Sequence, residues 1–177
     1  ALAEAFRARG KAADFRATGQ TGIMIAGSGI PIDAVVSDFI AGAAEVLSPD
    51  ADPDHWDVIE GQGSLHHPSY AGVSLGLLHG SQPDILVLCH RHGRDRIMGL
   101  DAFPVPSVRQ AIALALDMAR LTNPAVRCAG VSLNTAGLPA EEAAVLIARS
   151  ADQWGLAVAD PMRPGPALDQ LVDACLE

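Results

Sequence analysis

The sequence predicts an α/β fold with a mainly parallel sheet and helices on both faces, in three layers. Three observations predict it. Short apolar runs of strand length alternate with segments whose apolar residues recur at helical spacing, in the order (α)–β–α–β–α–β–α–β–α–β–α. The run Asp84-Ile85-Leu86-Val87-Leu88-Cys89-His90 is almost continuously apolar, as in strands covered on both faces. The strands end in polar tips, and Trp56-Asp57-Val58-Ile59 leads straight into Glu60-Gly61-Gln62-Gly63-Ser64. That places a carboxylate at the C-terminal edge of a strand, where open α/β sheets bind ligands.

The elements follow in order. Ala1 to Arg9 reads as the last turns of a helix, with Gly10 past its end. The chain begins inside an element and without Met, so a piece of a longer protein is expected. Lys11 to Gly19 is a short strand ending in a turn. Gly19, Gly22, Gly27 and Gly29 then form a glycine-rich loop with Gln20 and Thr21, able to offer backbone N–H donors to an anion. Pro31 to Leu47 is a helix by the spacing of Ile32, Val35, Val36, Phe39, Ile40, Ala43, Ala44 and Leu47. The Glu60 strand is followed by a helix from Ser69 to His79, whose Gly72 and Gly76 allow close packing on the sheet. After the Asp84–His90 strand comes the tip His90-Arg91-His92-Gly93-Arg94. Phe103-Pro104-Val105-Pro106 is a stiff connector. Ser107 caps a helix to about Leu121. Arg127 to Asn134 is a strand, Pro139 to Trp154 a helix with Glu141 and Glu142 in its first turn, Leu156 to Asp160 a strand, and Ala167 to Leu176 a closing helix.

Composition narrows the function. The chain has 177 residues, 49% of them hydrophobic, enough for one domain over residues 1–177 with a sizeable core. A net charge of −9 argues against a nucleic-acid groove or an anionic membrane surface. Cys89, Cys128 and Cys175 lie far apart with no C-x-x-C spacing, which fits reduced core residues in a cytoplasmic protein. No apolar run approaches a membrane span. The only lysine is Lys11, so the chain holds no G-x-x-x-x-G-K-[ST] lysine.

Glu60 is the leading chemical candidate. It can hold Mg²⁺, directly or through water, beside a phosphate. Gly61 and Gly63 allow a backbone to approach a ligand, or serve turn geometry alone. His66 and His67 are adjacent and lack the i,i+4 spacing of a helical metal pair. One of them can contact substrate or act as a base, or brace the loop. Ser64, Ser69 and Tyr70 are candidate polar contacts. His90, Arg91 and Arg94 can grip a carboxylate or phosphate, with arginine doing so bidentately. If the strands are parallel, that tip lies on the same edge as Glu60.

Four stretches together resemble one family. They are Ala17-Thr18-Gly19-Gln20-Thr21-Gly22, Asp57-Val58-Ile59-Glu60-Gly61-Gln62-Gly63-Ser64-Leu65, His67-Pro68-Ser69-Tyr70-Ala71-Gly72 and Leu77-Leu78-His79-Gly80-Ser81-Gln82-Pro83-Asp84. The sequence is similar to the D-glutamate N-acetyltransferase family, formerly a domain-of-unknown-function family. The resemblance runs from the first helix to about Pro161. It implies a P-loop NTPase-like C-terminal domain, here without the first strand, the phosphate loop and a smaller N-terminal domain. Open apolar sheet edges are then expected.

The resemblance implies acetyl transfer from acetyl-CoA to the amine of D-glutamate, a small amino acid substrate, in a bacterial-type metabolic enzyme expected to form a homo-oligomer. Under it, Glu60 or His67 is the base and Arg91 or Arg94 the carboxylate clamp. Backbone N–H groups of Gly19, Gly22, Gly61 and Gly63 are the oxyanion donors or hold the cofactor, and Gln20, Thr21, Ser64, Ser69, Tyr70 and His90 line the substrate. More distantly, Glu60-Gly61-x-Gly63 resembles the acidic motif of dethiobiotin synthetases, where the Glu serves magnesium and substrate. Asn134 resembles the residue that contacts adenine there. That keeps open an ATP- and Mg-dependent ligase or kinase, or a nucleotide-binding module without turnover.

Overall fold

A computed structural model describes all 177 residues. The chain divides into two compact units, one holding residues 2–83 with 117–124, the other Ala1, 84–116 and 125–177.

The first unit carries α1 (Leu2–Ala8), β1 (Ala12–Arg16), α2 (Gln20–Ala26), α3 (Ile40–Leu47), β2 (His55–Ile59) and α4 (Ala71–Ser81). β1 and β2 pair in parallel, with Ala13 opposite Trp56 and Asp14 opposite Asp57. Side chains alternate across a strand, so Ala13, Phe15, Trp56 and Val58 share an apolar face, and Asp14, Arg16, His55 and Asp57 share the other, with Ile59 at its end. On the apolar face Phe6 of α1 meets Trp56 with ring centroids 5.1 Å apart. Ile59 joins a core of Ile32, Ile40, Ala44 and Leu77.

Three expectations change here. The stretch 31–47 is not one helix: Ile32–Ala34 and Ser37–Phe39 are single 3₁₀ turns, and only Ile40–Leu47 is α-helical. Apolar residues at three- and four-residue spacing suit both geometries, so spacing alone does not separate them. The glycine-rich stretch is not an open loop, because Gln20–Ala26 winds into α2 with Gly19 as its N-cap and Gly27 in the left-handed region at its C-cap. The close-packing glycines are Gly76 and Gly80, and they face α3. A side chain at Gly76 would meet Ile40, and one at Gly80 would meet Ala41 and Ala44, while Gly72 has open space.

The second unit carries β3 (Ile85–Arg91), β4 (Arg96–Ile97), β5 (Leu100–Pro104), α5 (Val108–Ala119, whose last residues count with the first unit), β6 (Arg127–Asn134), α6 (Ala140–Trp154), β7 (Ala157–Ala159) and α7 (Pro166–Leu176). β3, β6 and β7 form a parallel sheet in the order β3-β6-β7. Val131 and Leu133 of β6 pack with Val108, Ile147 and Val158. On the opposite face, a side chain at Gly130 would strike Leu171 of α7 and the Ala157 carbonyl. Helices therefore cover both faces of β6, which explains its burial.

Helix ends follow local rules. Ser107 and Gln110 form a reciprocal capping box at α5: Gln110 N–H donates to Ser107 Oγ at 3.3 Å and Ser107 N–H to Gln110 Oε1 at 3.0 Å. Gly155 closes α6 in the left-handed region, its N–H 2.8 Å from Ala151 O. Pro166 opens α7, and Arg127 donates to the Ala174 and Cys175 carbonyls at its end, 2.7 and 3.0 Å away.

The expected connector at 103–106 is in part a strand, since β4 and β5 form an antiparallel hairpin. The Asp84–His90 run is not buried on both faces. β3 pairs only with β6 and is half-buried, and β2 pairs only with β1 and is half-buried throughout. The parallel strands thus form two sheets, each with an open edge. No helix is long and apolar enough to cross a membrane.

Candidate functional site

In the first unit the C-terminal tips of β1 and β2 are tied together by Glu60. Its Oε2 accepts the backbone N–H of Thr18 at 2.9 Å and of Gly19 at 3.0 Å. Thr18 Oγ1 donates to the Glu60 carbonyl at 2.7 Å and accepts from Gln62 Nε2 at 2.6 Å. Glu60 N–H donates to Arg16 O at 2.9 Å. The carboxylate lies against the Cα of Gly22: a Cβ there would collide with Glu60 Oε2 and come within 2.7 Å of its Cδ. Gly22 is therefore glycine because the carboxylate occupies its side-chain space. Thr18, fully buried, was missed in the sequence. Nothing in the spacing links it to a residue 42 positions later.

This geometry corrects one expectation. The Gly19 N–H is not a free oxyanion donor, because it is spent on Glu60. Glu60 Oε1 accepts no hydrogen bond from the protein. It is the atom through which Glu60 can meet a cation or a substrate. Mg²⁺ commonly takes one or two carboxylates and completes its shell with water and phosphate oxygens, and Oε1 fits one such position. Gln20 and Thr21 are exposed in the first turn of α2.

The loop between β2 and α4 is wound on itself. His66 N–H donates to Ser64 Oγ at 3.1 Å and His67 N–H to Ser64 O at 2.9 Å. Ala71 N–H donates to His67 O at 3.0 Å, and Ser74 Oγ to Gly63 O at 2.7 Å. A side chain at Gly63 would crowd Tyr70 Cβ at 3.1 Å, whereas Gly61 has open space. Ser64, Ser69 and Tyr70 are exposed. His67 does not suit the role of base. Its Nδ1 accepts the Ser69 N–H at 3.1 Å and its ring packs on Tyr70 at 4.4 Å. With that lone pair in use, neutral His67 carries its proton on Nε2 and acts as a donor.

In the second unit the tips of β3 and β6 bring Arg91 opposite Asn134, and His92 N–H donates to Asn134 O at 3.1 Å. Arg91 and Asn134 are exposed, and Arg94 is half-buried. Asn134 Oδ1 accepts the Ala136 N–H at 2.9 Å, which leaves its amide NH₂ to a ligand. Burial, then the charges of His92 and Arg94, hold His90 below the usual histidine range, so His90 is neutral at neutral pH. The next tip went unnoticed in the sequence. Asp160 Oδ2 accepts Thr135 N–H at 2.9 Å and Thr135 Oγ1–H at 2.5 Å, and Oδ1 accepts Met162 N–H at 3.0 Å. Burial would raise the Asp160 pKa, but these bonds and the nearby Arg163 hold it below the ordinary value. Glu60 and the His90–Arg94 tip were expected on one sheet edge; they belong to separate sheets in separate units.

A further group, Asp14, His55 and Asp57, has its ligand atoms close enough to hold a metal. Arg16 already fills the cationic place. Its Nε lies 2.7 Å from Asp57 Oδ1, and its NH2 3.5 Å from Asp14 Oδ2. Ser48 Oγ donates to the other Asp57 oxygen at 2.5 Å. This is a salt-bridge network across two paired strands, without a vacancy for a metal.

Known proteins with similar chains agree with the fold. The chain is 54% identical over 152 residues to a D-glutamate N-acetyltransferase of Pseudoalteromonas sp, covering 86% of this chain and 46% of that protein. It is 49% identical over 168 residues to a D-glutamate N-acetyltransferase of Tritonibacter scottomollicae, covering 95% of this chain and 50% of that one. It thus spans about half the length of the curated relatives it matches. The crystal structure of a DUF1611 family protein from Anabaena variabilis superposes with a TM-score of 0.90 at 38% identity, over 99% of this chain and 51% of that one. Residues 1–172 match the family described as domain of unknown function (DUF1611_C), P-loop domain. An α/β chain with parallel sheets, strand tips stapled by carboxylates and this match over nearly its whole length belongs to the DUF1611 C-terminal P-loop domain family.

Proposed function

We propose that this chain is part of an N-acetyltransferase that moves the acetyl group of acetyl-CoA to the amine of D-glutamate. The observation that carries this reading is the identity of 54% and 49% to two proteins of that name, over 86% and 95% of the chain. In the reaction the ammonium group loses a proton and its nitrogen attacks the thioester carbonyl carbon. The C–N bond forms, the C–S bond breaks, the attacking nitrogen gives up a second proton, and the departing coenzyme A thiolate takes up a proton to leave as the thiol.

Each group has an assigned task. Glu60 Oε1 meets the acceptor or a Mg²⁺ ion at the β2 tip. His67 Nε2–H, Ser64, Ser69, Tyr70, Gln20 and Thr21 supply hydrogen bonds to substrate. Backbone N–H groups of Gly22, Gly61 and Gly63 remain candidates for the oxyanion. Arg91 or Arg94 clamps a carboxylate beside His90, and Asn134 offers its amide to the adenine of the donor. The working protein is a cytoplasmic homo-oligomer acting on a small molecule. The competing reading, an ATP- and Mg-dependent ligase or kinase, is favoured by the P-loop description of the family. The full-length protein decides between them by thiol release from acetyl-CoA with D-glutamate and with L-glutamate. Release with D-glutamate alone supports acetyl transfer. No release with either, together with ATP turnover in Mg²⁺, overturns it.

A further inference from the structure

The side chain of Gln62, half-buried beside Glu60, is held at one end only. Its Nε2 lies 2.6 Å from Thr18 Oγ1. The single hydroxyl proton of Thr18 is committed to the Glu60 carbonyl, 2.7 Å away. Thr18 Oγ1 can therefore only accept from Gln62. That fixes the amide: its NH₂ group faces Thr18, and its Oε1 is turned away without a hydrogen bond from the protein.

Glu60 is arranged in the same way, with Oε2 bound by the Thr18 and Gly19 N–H groups and Oε1 by none. Both free oxygens reach solvent, because the one unpartnered side-chain nitrogen or oxygen shut off from it is His66 Nε2. The two groups border one space. A Cβ on Gly19 would stand 3.6 Å from Gln62 Nε2 and 3.7 Å from Glu60 Oε1. Residue 19 has no side chain, so that space is open. Glu60 has no cationic partner in the protein, and Arg16, at the neighbouring strand tip, is spent on Asp57 and Asp14 at 2.7 and 3.5 Å. Two acceptor oxygens, one of them charged, suit a small cation that carries several N–H donors.

We propose that Gln62 Oε1 and Glu60 Oε1 together hold the ammonium group of the acceptor amine, with Thr18 setting the orientation of Gln62. The proposal rests on the acyltransferase reading, whose acceptor is an amine that arrives protonated. Glu60 supplies the charge and Gln62 the second acceptor, so the nitrogen is fixed at the β2 tip before it loses its proton. Gln62 is then a residue that recognises the amine, and Gly19 leaves the room the amine needs.

The test uses the full-length protein and compares D-glutamate with glutarate, the same dicarboxylate without the amine. Binding of each is measured by calorimetry with coenzyme A present, and thiol release from acetyl-CoA with D-glutamate by steady-state kinetics. Wild type, Gln62→Leu and Gly19→Ala are compared, with folding checked by circular dichroism. Gln62→Leu removes a hydrogen bond to a charged group and is expected to weaken D-glutamate by about tenfold to a hundredfold, while glutarate stays within about threefold. The KM for D-glutamate should rise with it, and the KM for acetyl-CoA should not move. Gly19→Ala should act in the same direction by crowding the ammonium group, in a fold that accommodates the methyl. Equal weakening of both ligands, or of neither, in an active protein would overturn the proposal and leave the acyltransferase reading standing. Magnesium chloride titrated alone, with binding that Gln62→Leu abolishes, would give the two oxygens to a metal and overturn it as well. A wild type that releases no thiol would remove the acyltransferase reading, and the amine proposed here with it.

Discussion

Glu60 and Asp160 occupy equivalent places in the two units and end up in different states. Each carboxylate directly follows a parallel strand, β2 or β7, and accepts the backbone N–H of a threonine just past the neighbouring strand: Thr18 for Glu60 at 2.9 Å, Thr135 for Asp160 at 2.9 Å. Both threonines are fully buried. At Asp160 both oxygens are taken, Arg163 lies 3.7 Å away, and the residue is 5% exposed. At Glu60 one oxygen is taken and the other has no protein partner. The same staple is closed at one tip and half-open at the other. A saturated carboxylate can only stabilise, whereas one with a spare oxygen can also bind.

Asp160→Ala breaks the closed staple and is expected to have the largest effect on stability, about 3 kcal/mol in urea unfolding, because it strips a buried threonine of its charged acceptor. The pH dependence follows from the depressed pKa. The stabilisation is present above the ordinary aspartate value of about 3.9 and disappears as pH falls through the lower folded value. Asp160→Asn should flatten that acid-side loss of stability, which pH-dependent unfolding would show; an unchanged profile would remove Asp160 as its source.

Gly22→Ala attacks the half-open staple by driving a methyl group into the carboxylate. Overpacking of this kind costs about 2 kcal/mol and should displace Glu60, so stability and turnover fall together. Glu60→Gln keeps an acceptor for Thr18 and Gly19 and should cost only about 1 kcal/mol in the same unfolding assay. Its turnover should nevertheless fall by about a hundredfold if Oε1 meets substrate or Mg²⁺. Full turnover with an intact fold would make Glu60 as purely structural as Asp160. The smallest change is Gly19→Ala. Its new methyl would sit 3.6 Å or more from Gln62 and Glu60, and thermal melting should show a shift equivalent to under about 0.5 kcal/mol.

Legibility in the sequence tracked the range of the interaction. Arg127–Asn134 and Ala140–Trp154 were readable almost to the residue, because apolar period, a proline, first-turn acids and a terminal glycine are all local signals. The Arg96–Ile97 strand was invisible, since two residues carry no period. Ile32 to Phe39 was misread because its 3₁₀ turns share the apolar spacing of a helix. Glu60 was picked out from the residues around it. His66 and His67 could not be ranked, because adjacent identical residues differ only in where the loop sends their rings.

By itself the sequence determined the alternation of strands and helices, the helix caps and the placement of a carboxylate at a strand tip, since each depends on neighbours within a few positions. Only the tertiary structure decided that the strands fall into two sheets, that Glu60 keeps one oxygen free while Asp160 keeps none, and that one histidine nitrogen is shut away unpaired. The states of the two carboxylates depend on hydrogen bonds between residues 25 and 42 positions apart. Contacts at that range are set by how strands pair and register, and residue spacing carries no record of them.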